Sequence, residues 1–251
     1  MDKKQVLDII DWIKDYFKKN SFAKGVVIGM SGGKDSFVVA KLCIEALGKE
    51  NVLGVILPNN KMCDFDDAKR SCEFLGIKYT TIDISNSYNS ILDSITPFLK
   101  QNNYSLGSVT TINTAPRIRM TTLYALAGSL DYLVANTSNL SEASVGYTTK
   151  WGDNVGDFAP IANFTKTEVC EIGLLLGLPN DLVNKTPSDG LSSKSDEEKL
   201  GFSYDELDSL IRTGTKGDRY ETILNKHIGS SHKRIGAIKY ENNLQNHLKT
   251  K

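Results

Sequence analysis

The chain has 251 residues, 40% of them hydrophobic, and its thirty basic residues balance thirty acidic ones. This length suits one α/β domain, and we expect a single domain over residues 1–251. The balanced charge argues against nucleic acid as the main partner, because nucleic-acid binding needs a clustered basic field. Residues 1–19 lack a signal-like apolar stretch, and no apolar run approaches the roughly 20 residues of a membrane span. We therefore expect a cytoplasmic protein without membrane attachment.

Helical and strand patterns alternate along the first half of the chain. Apolar residues at helical spacing over 6–17 predict an amphipathic first helix. Strands are predicted at 25–29, 52–57, 79–84 and 132–135, and the first two are continuously apolar, as in buried parallel sheets. Further helices are predicted at 35–47, 66–75, 87–100 and 115–130. This order predicts an α/β fold, a Rossmann-like doubly wound parallel sheet with helices on both faces.

Two polar segments, 58–67 and 186–200, are predicted to be loops. Ligands of open parallel sheets bind beyond the carboxyl ends of the strands, where such loops lie. We therefore expect both segments to lie near the functional site.

The first strand ends in a turn rich in glycine and hydroxyl groups, Gly29-Met30-Ser31-Gly32-Gly33-Lys34-Asp35-Ser36. Adjacent glycines let the backbone approach an anion closely, and the following helix N-terminus offers free N–H groups. The serine hydroxyls can add donors, and Asp35 can hold a magnesium ion that bridges phosphate oxygens. The turn is not a Walker loop, since residue 28 is isoleucine and an aspartate follows the lysine. An ordinary strand-to-helix turn is the alternative interpretation.

The sequence SGGKDS at residues 31–36 resembles the SGGxDS pyrophosphate loop of the ATP pyrophosphatases. In that superfamily the loop grips the β- and γ-phosphates of ATP while the α-phosphate is attacked. The residues that the resemblance implies in ATP binding are Gly29, Ser31, Gly32, Gly33, Lys34, Asp35 and Ser36. The loop alone indicates the superfamily, which includes NAD, GMP and asparagine synthetases and tRNA-modifying enzymes.

Later segments resemble the ammonia-dependent NAD synthetases in the same order along the chain. APRIRM at 115–120 is similar to that family's AR-x-RM helix, and NTSNLSE at 136–142 to its GT-x-N-x-SE segment. GYTTKWGD at 146–153, followed by Asp157, is similar to its GY-x-TxxGD…D stretch. Segments 160–166, 185–191, 201–208 and 232–234 continue the order. The resemblance covers about residues 25–234, nearly the whole chain.

The resemblance implies roles for individual residues. Further ATP contacts are implied at Thr137, Lys166 and Ser188. Residues implied to bind the acid dinucleotide, deamido-NAD, are Arg117, Lys150, Asp157, His232 and Lys233. A magnesium ion would be held by Asp35 and Glu142, one carboxylate from each of two loops. These two carboxylates, with Asp153 as a candidate for the ammonia site, form the implied catalytic set.

The implied reaction has two steps. The nicotinate carboxylate of deamido-NAD attacks the α-phosphorus of ATP, which gives an adenylate and pyrophosphate, and ammonia then displaces AMP. Magnesium and the lysines would offset the repulsion between two polyanions, and segments 59–67 and 188–200 would be lids that exclude water. Glutamine-using relatives carry an extra amidohydrolase domain, so free ammonia is the expected nitrogen source for a chain of this length. The family forms homodimers, which the resemblance implies here as well.

Three alternatives stay open. A divergent ligase for another carboxylic acid would keep the loop and Glu142 but alter four residues that are all present here, namely Arg117, Lys150, Asp157 and His232. Four other residues differ from the family's usual ones, namely Lys34, Pro116, Asn136 and Gly190. A tRNA-modifying pyrophosphatase would need a basic tract or an added domain, and thiolation enzymes use paired cysteines, whereas the four cysteines here form no CxxC pair. A nucleotide-binding protein without catalysis would bind ATP and form no AMP.

Overall fold

A four-stranded parallel sheet organises the computed structural model, which describes residues 1–185 and 195–237. Its strands are β1 (Gly25–Gly29), β2 (Val52–Ile56), β3 (Lys78–Thr81) and β4 (Tyr132–Val134), in the order β3-β2-β1-β4. Val26 of β1 lies opposite Val52 on one side and Leu133 on the other. Because chain order runs outward in opposite directions from β1, a topological switch point lies between β1 and β4.

Successive strand residues face two hydrophobic clusters, one on each face of the sheet. Val26 and Ile28 pack into the larger cluster with Phe37, whereas Val27 and Val55 pack into the second. The alternation follows from the two-residue period of a strand. The larger cluster is covered by α1 (Lys3–Lys19), α2 (Lys34–Leu47), α3 (Phe65–Leu75) and α7 (Lys166–Leu175). The second is covered by α4 (Ser85–Gln101) and α5 (Ser108–Leu130), so the predicted doubly wound α/β fold is confirmed.

The other described α-helices are α6 (Leu140–Val145), α8 (Asn180–Val183), α9 (Asp196–Leu200), α10 (Tyr204–Thr213), α11 (Tyr220–Gly229) and α12 (Ser231–Arg234). They pack mainly around α6 and α7. A third cluster, which includes Val145, Phe202, Leu207 and Ile223, joins α6 to the helices that follow residue 195. No helix in the described part of the chain is both long and apolar enough to cross a bilayer.

Several predicted boundaries were wrong. Helix α5 begins at Ser108, before the predicted start at residue 115, and contains Pro116. Its first residues, SVTTINT, are weak helix formers, so the sequence did not predict this turn. Packing on α4 stabilises them as helix. Strand β3 ends at Thr81, although the backbone N–H of Ile82 still donates to the Ile56 carbonyl at 2.9 Å. Helix α3 begins at Phe65, within the predicted loop 58–67.

The predicted loop 186–200 is only partly described by the structure. Residues 196–200 form helix α9 instead of a loop, since Ser195 and Glu198 build a capping box at its start. Residues 186–194, which include Ser188, lie outside the described residues.

Candidate active site

A cavity of about 380 Å³ opens at the carboxyl ends of β1, β2 and β4. This is the switch point of the sheet, where open α/β sheets bind their ligands. The predicted site residues on its wall are Gly29, Ser31, Gly32, Gly33, Lys34, Asp35, Ser36, Thr137, Glu142, Asp153 and Lys166. The structure therefore brings the predicted ATP and catalytic residues within the described part of the chain to one place.

The turn between β1 and α2 is held by its own hydroxyls. Gly33 N donates to Ser31 Oγ at 3.2 Å, and Ser36 Oγ donates to the Gly33 carbonyl at 3.0 Å. Gly32 has a φ of 78°, and a Cβ there would lie 2.4 Å from the Asp64 carbonyl oxygen, so the position requires glycine. Helix α2 starts after Gly33, which has no side chain to cap the first turn. Its free N–H groups suit an anion.

Two carboxylates from separate helices meet at one ammonium group. Lys166 Nζ donates to Asp35 Oδ2 at 2.8 Å and to Glu142 Oε1 at 2.7 Å. The side chain of Lys166 is 7% exposed, and both carboxylates are 16% exposed. Asn139 connects the two acids, since its Nδ2 donates to Asp35 Oδ1 at 3.1 Å and its Oδ1 accepts from Glu142 N at 3.0 Å. The three charged groups are therefore fixed relative to one another by hydrogen bonds within the protein.

Burial sets the protonation of this cluster. Removal from water raises the pKa of Glu142 to about 7, although Lys166 pulls in the opposite direction. For Lys166, burial lowers the pKa, but attraction by Asp35 and Glu142 outweighs burial and the net pKa is well above the usual value. The ring of Tyr204 lies 5.3 Å from Lys166 Nζ. With Glu142 deprotonated, the two carboxylates and one ammonium carry a net negative charge, which suits a further cation.

The donor set at this point fits magnesium. The carboxylate oxygens of Asp35 and Glu142 both contact the Lys166 ammonium, so the two acids already converge on a cation. Within residues 1–185 and 195–237, no group of three or more His, Cys, Asp or Glu side chains is arranged to hold a metal. Mg²⁺ does not require such a cage, because it is usually held by one or two carboxylates together with substrate phosphates.

Asp153 is fixed in the cavity wall by backbone contacts. Its Oδ1 accepts from Thr149 N at 2.6 Å, and its carbonyl oxygen accepts from Ser138 Oγ at 3.2 Å. Burial raises the pKa of the Asp153 carboxyl, while Arg119 is among the cations that lower it. Arg119 Nε donates to the Leu57 carbonyl at 2.9 Å. The wall therefore places the Asp153 carboxyl near the half-buried guanidinium of Arg119.

Three of the five residues predicted to bind the dinucleotide form a chain of contacts on a more exposed face, and Lys233 is bound beside them. Arg117 Nε donates to the Lys150 carbonyl at 3.2 Å, and Lys150 Nζ donates to the His232 carbonyl at 2.6 Å. Lys233 Nζ donates to two carbonyl oxygens of segment 146–148, each at 2.7 Å. These four side chains are not among the residues that line the cavity.

Asp157 makes a different set of contacts. Its Oδ2 accepts from Val134 N at 2.7 Å, and its Oδ1 accepts from Tyr124 Oη at 3.3 Å. Its carbonyl oxygen accepts from Tyr16 Oη at 2.8 Å. Asp157 therefore ties the end of β4 to α5 and α1, away from the group formed by the other predicted dinucleotide residues.

Lys34 lies at the start of α2 and is 8% exposed. Its Nζ lies 3.5 Å from Cys170 Sγ on α7. The lysine that distinguishes this loop therefore directs its ammonium toward α7, although the residue borders the cavity.

A hydrogen-bonded junction behind the cluster joins three helices. The carboxylate of Asp208 on α10 accepts from Ser141 Oγ on α6 and, at 2.9 Å, from Thr167 N on α7. Ser141 Oγ also accepts from Lys166 N at 2.9 Å. Asp208 is 6% exposed. Helix α10 therefore fixes the starts of the two helices that carry Glu142 and Lys166.

Some site residues were not singled out from the sequence. Asn139 and Arg119 lie inside segments that carry the family resemblance, so their signal was present. Lys185, the first residue of the resembling segment 185–191, lines the cavity with Asp64, and no role was implied for it. Lys185 and Asp64 are far apart in the chain, and no local pattern connects them.

Known proteins are similar to this chain over most of its length. The family model described as NAD synthase matches residues 5–249. An NH3-dependent NAD+ synthetase of Thermococcus sibiricus is 42% identical over 209 residues, which are 83% of this chain and 79% of the relative. The corresponding enzyme of Finegoldia magna is 36% identical over 242 residues, 96% of this chain and 97% of the relative.

Two solved structures extend the comparison to three dimensions. An NMN synthetase from Francisella tularensis superposes with a TM-score of 0.85 at 34% identity, covering 96% of this chain and 98% of that one. An NH3-dependent NAD synthetase from Campylobacter jejuni, in complex with nitrate, superposes with a TM-score of 0.73 at 33% identity. That alignment covers 96% of this chain and all of the Campylobacter chain.

Proposed function

The chain belongs to the NAD synthase family, and from that premise we propose that its cavity makes NAD from deamido-NAD, ammonia and ATP. The reaction is an ATP-dependent amidation that releases AMP and pyrophosphate. The observation that carries the proposal is the buried cluster of Asp35, Glu142 and Lys166 beside the SGGKDS loop. This cluster places fixed charges where a triphosphate bound to the loop would need them.

ATP is proposed to bind with its phosphates on residues 31–36. The left-handed backbone at Gly32, the uncapped start of α2 and the hydroxyls of Ser31 and Ser36 support this placement. Thr137, on the same cavity wall, is proposed to contact ATP. Ser188 belongs to this proposal through the resemblance alone.

The first step joins the nicotinate carboxylate to the α-phosphorus of ATP. A carboxylate oxygen forms the new P–O bond, the bond to the bridging oxygen breaks, and pyrophosphate leaves with the electron pair. The ammonium of Lys166 and the N–H groups at the start of α2 oppose the negative charge that gathers there. Mg²⁺, held by Asp35 and Glu142, would when bound supply further positive charge to the phosphate oxygens.

The second step replaces AMP by ammonia. The nitrogen attacks the acyl carbon, the bond to the AMP oxygen breaks, and the amide loses one proton. Asp153 is proposed to face the ammonia, which its place on the cavity wall and its raised pKa support, because a carboxyl of raised pKa accepts a proton more readily. Segment 59–67 is proposed to exclude water, since Asn59, Lys61, Met62 and Asp64 line the cavity. Segment 188–200 is proposed to do the same through the resemblance, together with Asp196 on the wall.

Deamido-NAD is proposed to extend from the cavity toward the face that carries Arg117, Lys150, His232 and Lys233. Three of these side chains are cationic, and a guanidinium suits phosphate. Asp157 is retained through the resemblance, and its contacts with Tyr124 and β4 support an indirect part in ordering this region.

The proposal is tested by incubating the purified chain with ATP, magnesium, ammonium and deamido-NAD. Equal amounts of NAD and AMP are expected, and glutamine should not replace ammonium. Release of AMP without NAD would indicate that ATP is activated but that the acceptor is wrong. Absence of AMP with every acid tried would favour a binding protein instead.

A second candidate acceptor is nicotinic acid mononucleotide. It is favoured by the TM-score of 0.85 with the Francisella NMN synthetase, against 0.73 with the Campylobacter NAD synthetase. Comparing kcat/KM for the two acids separates the candidates. A preference of about tenfold, or about 1.4 kcal/mol in transition-state binding, assigns the acceptor.

Lys34→Ala is expected to weaken ATP binding modestly, by about two- to fivefold or less than about 1 kcal/mol. The reason is that the Lys34 ammonium is directed at Cys170 Sγ instead of standing free for the phosphates. Calorimetric titration with MgATP measures the change. A loss of more than about a hundredfold would contradict this and make Lys34 a direct phosphate ligand.

We also propose a homodimer formed through α4 and the start of α5. Exposed apolar side chains on this face are Ile91, Ile95, Phe98, Tyr104, Val109 and Ile112. An apolar surface of this kind is typical of an interaction site. Phe98→Glu with Ile112→Glu is expected to give a monomer in sedimentation velocity, whereas Phe22→Glu, on another exposed aromatic, should leave the dimer intact. A wild-type monomer would refute the proposal.

The cytoplasm is proposed as its location, because the reaction draws on ATP that is supplied there.

A further inference from the structure

We propose that Lys185 is a ligand of the terminal phosphates of ATP and of the pyrophosphate that leaves. The inference rests on the ATP-dependent reaction proposed above and adds a residue that the family resemblance did not single out. Lys185 follows Asn184, the C-cap of α8, and is joined to the start of α3, more than a hundred residues earlier in the chain.

The position of Lys185 is set by the phosphate loop itself. Asp64, which binds Lys185, packs directly on Gly32, where an added Cβ would lie 2.7 Å from the Asp64 Cβ. Lys185 and Asp64 both line the cavity that contains residues 29–36. The ammonium is therefore anchored to a residue that is in contact with the loop on which the phosphates are proposed to lie.

The geometry of the ammonium leaves it able to bind another group. Lys185 Nζ lies 2.5 Å from Asp64 Oδ1 and 2.5 Å from Asp67 Oδ2. An ammonium has three N–H donors, so these two bonds leave a third available for an oxygen of the ligand. The three side chains are between 17% and 32% exposed, and ion pairs at such exposure are weak enough to rearrange.

Charge balance also favours this role. Lys166 is 7% exposed between Asp35 and Glu142, whereas Lys185 is 30% exposed and can turn its ammonium toward a ligand. The terminal phosphates need a further cation, and Lys185 stands beside the loop. It also offsets one of the two negative charges of Asp64 and Asp67, which would otherwise repel a triphosphate more strongly.

Lys185→Met tests the proposal. The variant is expected to raise the KM for ATP and the Kd for MgATP, measured by calorimetry without deamido-NAD, by about tenfold or more. The inhibition constant of pyrophosphate should rise by a similar factor, while the KM for deamido-NAD changes less than about twofold. Lys185→Arg should recover most of the affinity. Unchanged binding of both MgATP and pyrophosphate would overturn the inference.

Arg70→Met is the matched control for loss of an ion pair between α3 and the α8 region. Arg70 Nη1 lies 2.7 Å from Asp181 Oδ2, so this pair also joins α3 to α8, but neither residue lines the cavity. MgATP affinity should stay unchanged in this variant. An equal loss of affinity would mean that Lys185 acts by fastening the helices, and would overturn the inference.

A second control removes the acids that Lys185 contacts. Asp64→Asn and Asp67→Asn are placed together in the Lys185→Met background. The affinity for MgATP should remain low, because the phosphate donor is still missing. Full recovery of MgATP affinity would mean that Lys185 only offsets the charge of the two acids, and would overturn the inference.

The binding measurements need no turnover. A wild-type chain that binds MgATP but forms no AMP would therefore refute the proposed reaction without deciding the role of Lys185.

Discussion

Asp35→Ala is expected to abolish turnover, lowering kcat at least about a thousandfold, or about 4 kcal/mol in activation free energy. Asp35 stands in the first turn of α2, where Lys166 Nζ and Asn139 Nδ2 both donate to its carboxylate. Alanine removes one of the two carboxylates that are proposed to hold magnesium. It leaves Lys166 paired with Glu142 alone. The variant should therefore fold, since the remaining buried charges still form a pair.

The activity of Asp35→Ala is measured as AMP released per enzyme with saturating ATP, ammonium and deamido-NAD. Asp66→Ala is a suitable control, because Asp66 is an exposed acid in the first turn of α3. That control should keep wild-type turnover. Activity of Asp35→Ala within about tenfold of wild type would refute the assignment of Asp35 as a metal ligand.

Lys166→Met is expected to lower both activity and stability. Removing the ammonium leaves Asp35 and Glu142 facing each other as buried charges without a counterion. Loss of one partner from a buried ion pair typically costs about 3–5 kcal/mol in the free energy of unfolding. Turnover should fall at least about a hundredfold, because a fixed positive charge next to the phosphate loop is lost.

The destabilisation by Lys166→Met should shrink as the pH falls. Burial already raises the pKa of Glu142 to about 7 with Lys166 present, and loss of the ammonium raises it further. A carboxyl with a higher pKa in the folded than in the unfolded state holds its proton more tightly when folded. The folded variant is therefore favoured at low pH, and its stability falls as the pH rises through the folded pKa.

Urea unfolding of Lys166→Met at about pH 5.5 and about pH 8 measures this difference. Lys41→Met is the control, because the Lys41–Glu45 pair lies at the surface of α2 and should contribute less than about 1 kcal/mol at either pH. Equal destabilisation of Lys166→Met at both pH values would show that the carboxyls do not take up protons in response.

The phosphate loop and the convergence of two carboxylates could be predicted from the sequence. Asp35 follows β1 and Glu142 follows β4, and neighbouring parallel strands bring their carboxyl ends to the same edge. The bond from Lys166 to both acids could not be predicted, because no local pattern connects a lysine on α7 with carboxylates on α2 and α6. The resemblance indicated a lysine near ATP without indicating its ion pairs.

The dinucleotide residues show a different limit of sequence reasoning. Family motifs grouped Asp157 with Arg117 and Lys150, but the structure directs its carboxylate to β4 and Tyr124. Arg117 and Lys150 do contact each other, although they are separated by 33 residues. Order along the chain indicated a common region and did not indicate which side chains share contacts within it.

The junction at Asp208 makes the catalytic cluster depend on a distant part of the chain. Its carboxylate holds Ser141 on α6 and the backbone of Thr167 on α7, the helices that present Glu142 and Lys166. During synthesis, residues 31–36 and both acids leave the ribosome well before α10. A nascent chain that ends before Asp208 would contain the phosphate loop. It would lack the carboxylate that positions the helices carrying Glu142 and Lys166. Catalytic competence would therefore emerge only after α10 has been synthesised.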